Sequence, residues 1–206
     1  MPAHGNSGSS EDYWQAPFYD YDQDGSYNPN YGDHPLIKGC CATYMIQNDD
    51  NGIHSQSGTD PIGLEMHYMF YHYKTWDFLN DVTFVELTVK NTGEHNYTDF
   101  TYGIRVDPNA GAINDNHFGC DSTTNMMYFY NADNNDESDY RTNPPAIGIV
   151  ALDQPMNSCI VGPAGSTVVE NWSAMNGLSL SGVPIIHPYG YPTTYQFSDD
   201  PNDPAG

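Results

Sequence analysis

At 206 residues the chain is long enough for one ordinary domain with a sizeable core, and 38% hydrophobic and 14% aromatic residues, 17 of them Tyr, are there to fill it. With 5 basic against 27 acidic residues the formal net charge is −22, which repels nucleic-acid phosphates and anionic membranes and excludes both as partners. No stretch approaches the run of roughly 18 apolar residues that reads as a membrane span, so no membrane insertion is expected. Frequent Gly and Pro punctuation, with Tyr and β-branched residues between the breaks, points to an all-β chain with many turns.

Residues 1–16 are polar and Gly/Ser-rich and read as a flexible N-terminal arm with no apolar leader. Residues 17–35 read as a calcium-binding loop. Asp20, Asp22 and Asp24 alternate and Gly25 follows at once. Calcium gathers about six to eight hard oxygen ligands from a sharply turning loop, and a Gly at the sixth position turns without a Cβ clash. Ser26 then stands where an EF-hand loop offers a carbonyl, and Asn28 stands at the ninth position. The twelfth position is Tyr31 in place of Glu, and Asp33 is the candidate closing carboxylate. Pro17 and Pro35 bracket the loop, which argues against the flanking helices of an EF-hand. The competing reading is a solvated acidic turn.

A single β-sandwich domain is expected over 36–198. Leu36 to Gln47 should contain its first core strand, and Asn48-Asp49-Asp50-Asn51-Gly52 is a turn. Leu64 to Tyr73 alternates with two largely apolar faces and reads as a central strand. Thr83 to Asn91 alternates too, and the period-two face Phe100, Tyr102, Ile104 and Val106 is expected to pair with it across the Asn91-Thr92-Gly93-Glu94 turn. Asp107 to Asp121 reads as a long polar loop, Met126 to Tyr130 and Ala146 to Leu152 as strands flanking an acidic run, and Thr167–Val169 and Tyr195–Phe197 as shorter strands. Residues 199–206 form a tail. No amphipathic helix or internal repeat is evident. The fold class is therefore all-β, an antiparallel β-sandwich with long acidic calcium-binding loops.

A second calcium cluster is expected from Asp107, Asn109, Asn114, Asp115 and Asp121, where a loop rich in oxygen donors follows a strand end. A third acidic group, Asn131, Asp133, Asn135, Asp136 and Glu137, reads better as a solvated loop. The four cysteines, Cys40, Cys41, Cys120 and Cys159, permit three disulfide connectivities. A bond between neighbours Cys40 and Cys41 requires a strained ring. On a strand their side chains point to opposite faces, so at least one bond from this pair to Cys120 or Cys159 is expected, the competing reading being reduced, buried cysteines. His67 and His72, five apart on a strand, face opposite sides, and no spacing among the 8 His suggests a transition-metal site.

No nucleophile-elbow, zincin or phosphate-loop pattern occurs, so no catalytic residues are assigned. Glu65 and Glu86 have the residue type of a glycosidase pair, but so acidic a chain offers chance pairs, and Glu65 beside His67 reads as structural. Trp14, Trp76 and Trp172 have faces suited to stacking on sugars, with core packing the favoured role.

Several runs together carry a family resemblance. They are Pro2-Ala3-His4-Gly5, Asp20 to Asp33, Pro35-Leu36-Ile37-Lys38-Gly39, Gly63-Leu64-Glu65-Met66-His67, Val106-Asp107-Pro108, Gly119-Cys120-Asp121 and Asn143-Pro144-Pro145-Ala146. With these the sequence resembles large secreted or surface proteins of Bacteroidota exported by type IX secretion, from the N-terminus to about Pro155, with an echo at Phe197 to Pro201. Cys40-Cys41 departs from that pattern, where a polar pair usually follows Lys-Gly. The resemblance implies an extracellular or cell-surface location and a parent protein with an export leader and sorting domain outside this sequence. It implies no particular activity.

The expected function is a non-enzymatic, calcium-stabilised extracellular module of structural or adhesive role, self-assembling at the cell surface. Its partners would be calcium ions and itself or surface glycans. The alternative is a carbohydrate-binding module or a fragment of a glycan-degrading enzyme.

Overall fold

The computed structural model describes residues 15–49, 52–55, 58–106, 108, 110–112, 115–159 and 184. Among them the chain is all-β, with every strand pair antiparallel, no α-helix and two short 3₁₀ turns. Among the described residues no helix is long and apolar enough to cross a membrane. The chain divides into two compact units, 1–99 and 100–206, where the sequence reading ran one domain over 36–198.

In the first unit, β1 (Phe18–Tyr19) pairs with β2 (His34–Pro35) and closes the acidic loop between them. The chain then builds a three-stranded meander from β3 (Cys41–Asn48), β4 (Leu64–His72) and β5 (Thr83–Asn91), in the order β3-β4-β5. The alternation of Leu64 to Tyr73 thus marks a central strand, as expected. One face of β4 carries Glu65, His67, Met69 and Tyr71, and the other Leu64, Met66, Tyr68 and Phe70. Leu64, His67 and Met69 are buried. Aromatic stacking reinforces the first face, with Tyr71 against Phe84 at 5.3 Å between ring centroids.

The partner expected for β5 is corrected. β5 pairs with β4, and residues 100–106 form no strand. Alternation alone left the pairing open: the ten-residue connection from β4 to β5 makes the hairpin, capped by Asp77, whose Oδ1 accepts the Leu79 N–H at 3.0 Å.

The second unit is built on β6 (Asn116–Asp121), β7 (Met126–Asn131) and β10 (Ile147–Val150), in the order β10-β7-β6, with the small hairpin β8 (Asn135–Asp136) and β9 (Arg141–Thr142) between β7 and β10. The expected polar loop 107–121 is corrected at its end, where Asn116–Asp121 is a strand. Its apolar members Phe118 and Cys120 share a face with Phe129, Met127, Ile147 and Ile149 across the ladders. The expected strands at 167–169 and 195–197 lie outside the described residues.

A disulfide joins Cys120 to Cys159, both buried, with Cα atoms 6.1 Å apart, while Cys40 and Cys41 are exposed free thiols. This corrects the expected bond from the Cys40–Cys41 pair to Cys120 or Cys159. Each of the latter already has its partner inside the second unit, and Cys40 precedes β3 and so escapes strand alternation.

Candidate functional site

The acidic loop is assembled from its own backbone. Above the β1–β2 pair, the Leu36 N–H donates to the Pro17 carbonyl at 3.0 Å, and the rings of Tyr19 and His34 stack at 5.1 Å. Gly25 turns the chain with φ +77°, a conformation a side chain would strain, as its place in the motif requires. Asn28 then caps a 3₁₀ turn over Pro29–Tyr31, its side chain accepting from the Asn30 N–H at 3.1 Å.

Asp33 is 4% exposed and reaches back into the loop. Its Oδ1 accepts the Tyr21 N–H at 2.9 Å and its Oδ2 the Asn28 N–H at 2.7 Å. Asp20 Oδ2 accepts the Gly25 N–H at 2.8 Å. The result is a carboxylate cluster: Asp20, Asp22 and Asp33 each present an oxygen, all within 4.8 Å of one another. Asp20 Oδ1 is shielded from solvent and has no hydrogen-bond partner among the described residues. Desolvation, and then the charges of Asp24, Asp33 and Asp20, push the Asp22 carboxyl above its ordinary range. A divalent cation among these oxygens would offset that repulsion and give the orphaned lone pairs a partner.

Two of the other expected ligands of this loop, Asp24 and Asn28, have backbone partners. Asp24 lies outside the cluster of three, and its Oδ1 accepts the Ser26 N–H at 2.7 Å. Asn28 spends its side-chain oxygen on the cap. Asp24 and Asn28 thus brace the loop through backbone N–H groups, while Asp20, Asp22 and Asp33 converge.

The second expected cluster is divided. Asp107, Asn109 and Asn114 lie outside the described residues. Asp115 and Asp121 sit at opposite ends of β6, which at about 3.3 Å per residue places them too far apart to share one ion. Asp121 is engaged locally: its Oδ1 accepts the Thr123 N–H at 2.8 Å and its Oδ2 the Thr124 hydroxyl at 2.8 Å. These bonds, led by the Thr123 hydroxyl, hold its carboxyl below the usual range. Asp115 accepts from the Asn131 amide at 2.9 Å, while its Oδ1 and Asn116 Oδ1 are shielded without partners among the described residues.

The third acidic group is solvated at Asp133, Asn135 and Glu137, as expected, and departs from that reading at Asn131 and Asp136, which are buried. Asp136 is fully buried, accepting the Ala112 N–H at 2.6 Å through Oδ1 and the Asp139 and Tyr140 N–H groups at 2.6 and 2.7 Å through Oδ2. The Tyr140 and Ala112 N–H groups hold its carboxyl below the usual range. Asp133 likewise accepts the Asn135 N–H at 2.7 Å. These acids hold a hairpin together.

Comparison with protein-family models, curated proteins and solved structures finds no match.

Three further arrangements occur on the β3–β5 sheet and its turn. A cleft of about 540 Å³, lined by Ala16, Phe18, Leu36, Tyr44, His67 and Lys90 among others, opens over one face. There the buried His67 ring lies between the Tyr44 hydroxyl and the Glu65 carboxylate, and Lys90 Nζ is 3.6 Å from Glu65. Glu86 pairs instead with Lys38 and accepts the Tyr71 hydroxyl at 3.2 Å. In register Glu86 lies opposite Met69, four residues along β4 from Glu65. Each carboxylate thus has its own cation, which accords with a structural role for Glu65 and His67.

Trp76 departs from the expected core packing. It is fully exposed on the β4–β5 connection, beside a cleft of about 520 Å³ lined by Lys74, Thr75, Trp76, Asp77, Asn80 and Asp81. Trp14 and Trp172 lie outside the described residues. Finally, Cys40, Cys41 and His72 present ligand atoms within 4.8 Å of one another. Sequence spacing missed this group because it depends on the β3–β4 register, which places Cys41 opposite His72.

Proposed function

We propose that this chain is a calcium-stabilised, non-enzymatic module of an extracellular or cell-surface protein, structural or adhesive in role, and that its strands belong to a β-sandwich. The observation that carries the reading is the convergence of Asp20, Asp22 and Asp33, with one shielded carboxylate oxygen that has no hydrogen-bond partner among the described residues. Calcium fits this set better than a softer ion because every ligand offered is a hard oxygen. The resemblance to type IX-exported Bacteroidota surface proteins supports the location. Antiparallel pairing of every described strand, with apolar side chains alternating along β4 and along β7, is the kind of strand pattern from which sandwiches are built and supports that part of the reading. Self-assembly follows from charge: calcium both screens the net charge of −22 and bridges carboxylates of neighbouring copies. Light scattering in calcium and sodium chloride at equal ionic strength tests this, with greater association in calcium expected and an equal response contradicting it.

The test of the module itself is thermal unfolding with calcium and with chelator, in the wild type and in Asp33→Ala. Calcium should raise the midpoint of the wild type and leave the variant unmoved. An unchanged wild-type midpoint, with no calcium retained by elemental analysis, removes the reading.

The exposed Trp76 favours a second reading, a carbohydrate-binding module. A bare indole face beside Asp77, Asn80 and Asp81 combines a stacking surface with polar groups suited to sugar hydroxyls. Saturable binding on a glycan array, abolished by Trp76→Ala, would establish it.

A further inference from the structure

We propose that Cys40, Cys41 and His72 form a zinc site of two thiolates and one imidazole, with its fourth position open. The site goes beyond the calcium reading and shares no residue with it.

The backbone builds the arrangement. In the β3–β4 ladder Cys41 lies opposite His72, and its Sγ is 3.2 Å from His72 Nδ1 and 3.8 Å from Nε2. Cys40 is the residue before β3, and its N–H donates to the His72 carbonyl at 2.9 Å. On a regular strand two neighbouring side chains would point to opposite faces. Cys40 sits in a bend, so its sulfur turns to the same side, and one ligand atom from each of the three residues falls within 4.8 Å of the others. Gly39 makes the approach possible. It has φ +64°, and a Cβ there would stand 2.1 Å from the His72 carbonyl oxygen. Any side chain at this position would push Cys40 away from the end of β4.

Size and chemistry agree. Tetrahedral zinc, with Zn–S of about 2.3 Å and Zn–N of about 2.0 Å, separates its ligand atoms by roughly 3.5–3.8 Å. The distances from Cys41 Sγ to the two ring nitrogens bracket that span, and Cys40 Sγ, within 4.8 Å of a ligand atom of each partner, needs to close by about 1 Å at most to complete it. Thiolate and imidazole donors select zinc over calcium, as the oxygens of the Asp20–Asp33 loop select calcium over zinc. Both cysteines are free and exposed, so an ion reaches them from solvent. Binding displaces one proton from each thiol: the zinc ion takes two thiolates and a neutral imidazole and releases two protons, with no change of oxidation state. Water or an external ligand completes the fourth position.

The test is a cobalt(II) titration of protein with Cys40 and Cys41 reduced and the Cys120–Cys159 bond confirmed by peptide mapping, in saturating calcium so that carboxylate sites are filled. Thiolate-to-cobalt charge-transfer absorption should saturate at about one equivalent and be displaced by zinc. Cys40→Ser and Cys41→Ser, exposed positions whose folding is checked by circular dichroism, should each reduce it sharply. His72→Ala should weaken affinity at least tenfold or so. Absence of the band in wild type overturns the proposal. So does a band that survives both serine variants, which would originate at Cys120 and Cys159, or one indifferent to His72→Ala. Repeating the titration without calcium should give the same band, so the result stands whatever becomes of the calcium reading.

Discussion

The loop from Asp20 to Asp33 and the hairpin from Asn131 to Thr142 are both dense in acids, and they handle their charge in opposite ways. In the hairpin each buried carboxylate oxygen meets backbone N–H groups: Asp136 alone takes those of Ala112, Asp139 and Tyr140. In the loop three carboxylates face one another, and one shielded oxygen of Asp20 meets no donor among the described residues. Counting acids therefore does not locate a cation site. What matters is whether the backbone has already supplied the positive ends of its dipoles. The hairpin is complete as a protein structure, whereas a cation would complete the loop under the reading proposed above.

The sharpest separation of the two regions should come from the covalent link. The Cys120–Cys159 bond spans 39 residues of sequence, worth about 4 kcal/mol in the chain-entropy account. Cys159→Ser should lower stability to chemical denaturant by that order, equally in calcium and in chelator. A loss that calcium reverses would break the comparison, because it would make the second unit depend on the ion.

Next in size is the ion itself. Calcium at a hundred times its dissociation constant should add about 2.7 kcal/mol, read from denaturant midpoints with and without chelator. Asp22→Asn, which removes one converging charge and keeps an oxygen for the Asp24 N–H, should reduce this increment while raising stability in chelator. A fall in chelator stability would show that Asp22 is structural.

The two regions should also part on acidification. The Asp22 carboxyl is raised, so protons bind it above the ordinary aspartate range near pH 3.8 and compete there with the cation. Asp136 and Asp121 are lowered. Their contribution is fully present above that range and is lost only as pH falls through their folded values. A pH series of unfolding curves should therefore lose its calcium increment first and the stability of the second unit later. The reverse order contradicts the assignment. The smallest effect is expected at Asp121→Asn, which keeps an acceptor for Thr123 but loses the charge. It should cost about 0.5–1 kcal/mol and leave the calcium response intact, as thermal unfolding would show.

Much of this was legible in the sequence where local pattern and tertiary structure agree. Leu64–His72 and its neighbour Thr83–Asn91 alternate because successive side chains of a paired strand take opposite faces, and the return of Asp33 toward Asp20 and Asp22 could be anticipated because loop chemistry is local. β6 was hidden because Asn116, His117 and Asp121 are polar, and because its Gly119 packs under the ring of Tyr128 from the neighbouring strand. The disulfide was misread because Cys159 belongs to the same unit as Cys120, a matter of tertiary division that spacing does not encode. Cys40, Cys41 and His72 meet only through strand register, and a one-residue slip would separate them.

The central claim, a cation held by the Asp20–Asp33 loop and none needed by the acidic hairpin, is tested most directly by residue-resolved amide NMR during calcium titration. The amides of Tyr21, Gly25 and Asn28, whose N–H groups bond the converging carboxylates, should shift and saturate near one equivalent, while those of Ala112, Asp139 and Tyr140 stay in place. Shifts confined to the hairpin, or spread evenly over all exposed acids without saturation, would contradict it.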